Sequence, residues 1–413
     1  MSDKRLNILM LTPQLPYPPH QGASLRSLNI LKGLAEAHQV TLISLHEPEQ
    51  DVSDEALSPL KAICHELVLA PMQPRSFYRR LLQLLTSRLP DMAHRTVSSL
   101  FDMRLRQKLA ETIYDVVQVE AIELARVMPL IRQASPASKI LFDDINAETL
   151  LQRRAFQTDL RRPRRWPAAV YSWIQTNRLR RFERWACLQA DWVTAVSQAD
   201  KESLEALCPE RTVHVIPNSI DVAQYEVEET GQTPQFDLIF TGKMDYRPNI
   251  DAMLWFCEQI WPRILEARPA TTLAIVGQRP HERLAPLEEL PGVTLTGFVE
   301  RIQPFLQGAK LMIMPFRMGS GTRLKLIEAM ASGRAVVSTP VGAEGYPVRH
   351  YEHLLLANTP QEFSAAVISL LSRDSLREQI AAAGREFARQ YDYRVIVPKF
   401  LKIFQMATVS EHT

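Results

Sequence analysis

The sequence has 413 residues, 46% hydrophobic and 23% charged, with a formal net charge of +2. That length predicts two cores, the composition is that of a soluble globular protein, and so small a charge gives no argument for nucleic-acid binding. Cys64, Cys187, Cys208 and Cys257 form no CxxC pair and have no His at zinc-ligand spacing, which speaks for a reducing compartment and against a disulfide framework or metal site.

The chain opens with a short buried strand, Leu6 to Leu11. A loop to Gln21 follows, rich in proline (Pro13, Pro16, Pro18, Pro19). A helical pattern then starts near Ser24, and a second strand spans Val40 to Leu45. Strand, glycine-bearing loop, helix and strand make a βαβ unit, which implies a parallel sheet. Further strands are predicted at Val116 to Val119, Ile140 to Phe142 and Val193 to Val196, the last followed by a helix from Ala199 to Leu207. The alternation restarts at Val213 to Ile216, Leu238 to Thr241, Thr272 to Val276, Val293 to Leu295 and Leu311 to Met314. Two successive α/β domains result, 1–208 and 209–386, with Glu226 to Gln235 as a surface loop. No signal peptide is expected after Lys4-Arg5, and no apolar run reaches the roughly 18 residues of a membrane span. The expected location is the cytoplasm, with contact to a membrane surface from that side.

One segment is unusually basic. From Arg153 to Arg184 there are ten arginines against Asp159 and Glu183, with Trp166, Tyr171, Trp173, Phe182 and Trp185 interleaved. Such a run suits an anionic membrane surface, an anionic acceptor, or a solvated helix face. Single-stranded nucleic acid ranks below these, since no nucleic-acid motif accompanies the run.

The most informative stretch is 315–338. A strand ends before Pro315-Phe316, a loop carries Gly319-Ser320-Gly321-Thr322, and a helix from about Thr322 to Ala331 stops at Gly333. Glycines let backbone approach a ligand closely, and the helix N-terminus offers N–H groups to an anion. Arg323 and Lys325 are unfavourable at that positive helix end, so a diphosphate is expected to offset them. Glu328, a turn further, is placed to accept from ribose hydroxyls. The competing reading is a glycine-capped surface loop with a Lys–Glu helical pair. A second motif is Phe240-Thr241-Gly242-Lys243-Met244-Asp245-Tyr246-Arg247-Pro248-Asn249, with Lys243 and Arg247 at a strand's carboxyl end and Asn249 as the expected helix N-cap. By itself it reads equally as a solvated loop. Gly22 in the first βα loop suits a backbone approach to phosphate, with Thr12, Gln14 and His20 as neighbouring polar residues. Asp143, Asp144, Asn146 and Glu148 follow the Ile140 strand, either to bind acceptor hydroxyls or to cap the next helix.

At these residues the sequence resembles the family 4 glycosyltransferases of the GT-B fold. The likeness runs through Gly22, Val196-Ser197, Val215-Ile216-Pro217-Asn218-Ser219-Ile220-Asp221, Phe240-Thr241-Gly242 and Ala274-Ile275-Val276-Gly277. It continues through Val293 to Val299 and Met314-Pro315-Phe316 to Glu328-Ala329-Met330-Ala331-Ser332-Gly333. The resemblance implies two Rossmann-like domains facing across a cleft, with a C-terminal helix from about 387 crossing back to the first. It implies a retaining, metal-independent transfer from a nucleotide-diphosphate sugar to a glycan or lipid-linked acceptor, with no other cofactor, in surface polysaccharide or glycolipid synthesis. Glu328 would hold the ribose, Lys243 the diphosphate, and the backbone at Phe298 and Val299 the base. Gly22 would approach the phosphates from the first domain. Ser320 stands where the family often has a second glutamate, Arg247 lies one residue from the usual phosphate lysine, and Asn146 only approximates a usual histidine. Arg323 and Lys325 are expected to supply the missing charge. The alternatives are a nucleotide-sugar epimerase on the same fold, for which no clear acid–base set is present, or a catalytically silent assembly partner. A dinucleotide dehydrogenase would need a GxGxxG in the first turn, which is absent.

Overall fold

The computed structural model describes residues 5–19, 21–160, 166–226, 233–278, 280–319 and 321–409. The chain divides into two compact units, Met1–Asn218 with Tyr393–Thr413, and Ser219–Asp392.

In the first unit seven strands form one sheet: β1 (Asn7–Thr12), β2 (Gln39–His46), β3 (Glu66–Pro71), β4 (Val116–Glu120), β5 (Lys139–Asp144), β6 (Trp192–Ala195) and β7 (Val213–Val215). Their order is β3-β2-β1-β4-β5-β6-β7, and every pairing is parallel. Successive side chains on a strand point to opposite faces, so each strand fills two cores. Leu9, Leu11, Val117, Val119 and Phe142 pack on one face, and Ile8, Met10, Val40, Leu42, Val116 and Leu141 on the other. Near-continuous apolar strands are what a sheet covered on both sides requires.

The second face is closed by two helices far apart in sequence, Gly22–Ala35 and Tyr393–Val409. Ile396, Val397, Phe400, Ile403 and Phe404 join the same core as Leu28, Leu31 and Leu34. A Cβ at Gly33 would lie 2.8 Å from Val397, so only glycine permits this helix approach. The last helix starts at Tyr393 rather than near 387. Phe387 instead lies in the preceding helix, Asp374–Arg389, which belongs to the second unit. The units divide after Asn218, and β7 pairs with β6, which keeps residues to Val215 in the first sheet.

In the second unit β8 (Phe236–Thr241), β9 (Leu273–Val276), β10 (Val293–Gly297), β11 (Ala309–Met314), β12 (Ala335–Ser338) and β13 (Leu355–Leu356) form a parallel sheet ordered β10-β9-β8-β11-β12-β13. The strand order turns back at β1/β4 in the first sheet and at β8/β11 in the second. Open parallel sheets bind ligands beyond the carboxyl ends of their strands at such points.

A buried ion pair ties the first unit together. Arg26, 1% exposed, donates through Nε (2.9 Å) and an Nη (2.7 Å) to Asp143 at the end of β5. Its other Nη donates to the Ile216 carbonyl (3.0 Å) and to Asn218 Oδ1 (3.1 Å), and the guanidinium lies 5.7 Å from the Phe400 ring. Thr194 donates to the same carboxylate at 2.6 Å. Breaking such a pair leaves a charge buried without a partner. Arg26→Met is therefore expected to destabilise this unit by about 3–5 kcal/mol, seen as a lowered transition in scanning calorimetry. An unchanged transition would show that Asp143 does not need its partner.

Candidate functional site

The two loops singled out in the sequence leave adjacent strands, β8 and β11, at the switch point of the second sheet. After β8 the chain turns through Gly242 (φ +153°) into the helix Arg247–Trp255. After β11 it passes Phe316 and Gly319 (φ +124°) into the helix Leu324–Ala331. A Cβ at Gly242 would fall 2.7 Å from Lys325 Nζ, and one at Gly319 would collide with an Arg323 Nη. Each glycine thus leaves room for one of the two cations.

Lys325 points back over the sheet. Its Nζ donates to the Thr241 carbonyl (2.7 Å) and to Asn249 Oδ1 (3.2 Å), and lies about 5 Å from the centres of the Phe240 and Phe316 rings. Burial, aided by the neighbouring Arg323, lowers its pKa to about 7, against a partial opposing pull from Glu328. Arg323 lies 4.3 Å above the Phe316 ring and donates to the carbonyls of Val341 (3.2 Å) and Met318 (3.3 Å). Glu328, one turn beyond Lys325, accepts from the Tyr225 hydroxyl at 2.8 Å. Burial raises its pKa, with Tyr225 and Lys325 acting the other way.

The local assignments shift in two places. Arg323 is the N-cap residue of a helix beginning at Leu324, rather than part of a first turn from Thr322. Asn249 lies inside its helix, where Tyr246 is the N-cap residue. A buried side chain explains the second difference. Asn249 spends its amide across the βα loop, Nδ2 donating to the Lys243 carbonyl (2.8 Å) while Oδ1 accepts from Lys325.

The structure brings together Gly242, Gly319, Arg323, Lys325 and, a turn away, Glu328. Gly321 (φ +74°) and Thr322 continue the same loop, and Ser320 lies outside the described residues, as does His20. Lys243 leaves the same turn as Gly242 but faces Asp245 at 3.8 Å. Arg247 is exposed at the start of its helix. Phe298, 61% exposed, and Val299 follow β10 at the sheet edge, two strands from β8. Gly22 and Asn146 belong to the first unit, Gly22 opening its helix and Asn146 following β5. Sequence reasoning missed Phe316 as the ring beneath both cations and Tyr225 as the partner of Glu328. An aromatic directly after a strand and before a glycine loop was the available signal for the first.

In the first unit the carboxyl edge of the sheet is acidic. Glu120, at the end of β4, accepts from Ser27 at 2.5 Å, while burial and the nearby Asp143 raise its pKa. Asp144, fully buried at the end of β5, has no hydrogen-bond partner on either carboxylate oxygen among the described residues. Burial, with Glu183 and Glu148 adding like charge, pushes it well above the carboxylate range. Glu148 is pushed up to about 8, by burial first and then by Glu123 and Glu183. Among the described residues no group of three or more His, Cys, Asp or Glu side chains is arranged to hold a metal ion, and no helix is long and apolar enough to cross a membrane. Of the basic run, residues 161–165 and several neighbouring side chains lie outside the described residues. Arg178 and Arg184 donate to the Leu84 carbonyl and to Glu210.

Residues 235–373 match the family described as "Glycosyl transferases group 1", and residues 154–224 match "Glycosyltransferase Family 4". An uncharacterized 44.6 kDa protein in the cps region of Klebsiella pneumoniae is 20% identical, covering 96% of this chain and 99% of that protein. The phosphatidyl-myo-inositol mannosyltransferase of Mycobacterium leprae is 26% identical over 47% of this chain and 54% of its own. The crystal structure of Anabaena HepE in complex with UDP-glucose superposes with a TM-score of 0.65 at 17% identity, covering 97% of this chain and all of that one. The chain belongs to the glycosyltransferases of group 1 and family 4, with the two Rossmann-like domains of the GT-B fold.

Proposed function

We propose that this chain is a retaining, metal-independent transferase that moves a sugar from a nucleoside diphosphate to a glycan or lipid-linked acceptor. One observation carries the reading: two cations, Arg323 and Lys325, stacked on Phe316 between glycine loops at the β8/β11 switch point. The UDP-glucose held by the HepE structure supports a nucleotide donor. The cps-region relative and the phosphatidylinositol mannosyltransferase support an acceptor in surface polysaccharide or glycolipid synthesis. Four cysteines, all free and three of them buried, are compatible with the cytoplasm. Matches to transferase families favour transfer over the epimerase and silent-partner readings.

In this reading the leaving diphosphate gains charge as the glycosidic bond breaks. Arg323, Lys325 and the backbone N–H groups of Gly319, Gly321 and Thr322 meet that charge, and Lys243 and Arg247 add to it from the β8 loop. Positioned cations and N–H groups of this kind act most strongly in the transition state. Glu328 receives the ribose hydroxyls, oriented by the Tyr225 hydroxyl. Phe298 and Val299 hold the base through their backbone. In the first unit Gly22 is the candidate for phosphate and Asn146 for acceptor. The departing phosphate oxygen takes the acceptor proton on the same face, so no protein nucleophile and no cofactor beyond the co-substrate is required.

Arg323→Ala and Lys325→Ala should each lower kcat/KM by about 10²–10³-fold, as for loss of one oxyanion contact. Calorimetric titration should show both weakening UDP far more than uridine, and equal losses for the two ligands would refute the phosphate assignment. Proton NMR of the first-formed product should show the anomeric configuration of the donor, at a rate unaffected by EDTA. An inverted product, or a rate abolished by EDTA and restored by a divalent cation, would overturn that part of the reading.

A further inference from the structure

The helix Phe77–Thr86 of the first unit has no buried residue. Its exposed side chains are nonetheless apolar: Phe77 73%, Tyr78 82%, Leu81 45%, Leu82 59% and Leu85 75% exposed. With 3.6 residues per turn these five fall on one continuous arc of about 140°. Arg79 and Arg80, both exposed, project just beyond its two edges. From Met72 to Pro90 the chain carries four arginines and no acidic residue.

Polar contacts hold the helix at its inner side. Ser76 caps it by accepting from the Arg79 N–H, Arg178 donates to the Leu84 carbonyl at 2.7 Å, and Arg75, paired with Asp91, donates to Gln83 Oε1 at 3.0 Å. Between it and the body lies a cavity of about 230 Å³ whose lining includes Phe77, Arg80, Leu81 and Leu84 of the helix and, facing them, Asp91 and Tyr171. A helix of only ten residues is marginal in water when no apolar face is packed. An apolar arc edged with arginine and lacking acids is complementary to one kind of surface, the boundary between anionic headgroups and acyl chains.

We propose that Phe77–Thr86 is an interfacial anchor that seats the first unit on an anionic membrane. The apolar arc enters the acyl boundary, and Arg79, Arg80 and Arg88 meet the lipid phosphates. The helix follows the end of β3, on the carboxyl edge of the sheet where Glu120 and Asp144 also end their strands. The anchor therefore brings that edge towards a lipid surface. The proposal does not rest on the donor site, and its test does not use turnover.

The test is co-sedimentation of the full chain with vesicles of phosphatidylcholine and phosphatidylglycerol, against vesicles of phosphatidylcholine alone. The chain should bind the mixed vesicles selectively. Leu81→Asp with Leu85→Asp, and separately Arg79→Glu with Arg80→Glu, should each weaken binding by about tenfold or more, with unchanged circular dichroism and melting. Tyr78→Trp supplies a direct probe: the added indole emission, taken as the difference from the parent chain, should shift to the blue on mixed vesicles. Wild-type-like binding by both double variants, no binding by the parent chain, or a difference emission that stays unshifted would overturn the proposal. So would light scattering that shows a dimer which Leu81→Asp with Leu85→Asp converts to monomer, since the arc would then face a second copy.

Discussion

The candidate site of the second unit is organised around an ammonium held over two aromatic rings where the sheet order turns back. Lys325 has given up much of its water for one carbonyl, one amide oxygen and the faces of Phe240 and Phe316. Its pKa is held near 7 in place of the ordinary 10.5. Between those two values the folded chain binds fewer protons than the unfolded one, so this residue's unfavourable contribution is greatest below about pH 7 and is relieved as pH rises. A buried cation that works against stability is the pattern expected where a ligand supplies the missing charge. Gly242 and Gly319 belong to the same arrangement, since a side chain at either position would displace one of the cations.

The first sheet handles a buried cation differently. Arg26 has a full carboxylate partner in Asp143 and two further acceptors, so its guanidinium is committed within the unit. That fork joins β5, the end of the first unit's chain at Asn218 and, through Phe400, the returning helix. Arginine is suited to this role because its planar fork matches a carboxylate in two hydrogen bonds. Asp144, next to the paired Asp143, shows the opposite condition, buried among like charges with neither oxygen satisfied among the described residues. Adjacent residues on one strand thus separate into a paired structural carboxylate and one pushed above the carboxylate range by burial and neighbouring like charges.

The two α/β sheets were legible because buried parallel strands announce themselves as short apolar runs, and the glycine loops of 242 and 319–321 because strand, glycine and helix follow one another directly. β3, part of it only half-buried, and β13, two residues long, gave too little pattern to read. The partners within the site were beyond the reach of local pattern. Asn249 and Lys325 are 76 residues apart, Tyr225 and Glu328 103, and Arg26 and Asp143 117. Asn249 in particular looked like a cap because its chemistry suits a cap, and only the approach of Lys325 reveals its other use. The helix at 77 is hard to read from sequence for the reverse reason. Its periodicity is clear, yet it serves no core, and the arginines of 153–184 are the denser basic signal.

Proton uptake on UDP binding reports whether the diphosphate sits against Lys325. Calorimetric titration with UDP at pH 8, where the terminal phosphate is already ionised, would be run in buffers of different ionisation enthalpy. If the diphosphate sits against Lys325, binding restores its charge, and uptake should approach one proton per ligand in the parent chain and vanish in Lys325→Met. UDP binding without proton uptake, or with the same uptake in the variant, would show that the diphosphate does not sit against Lys325.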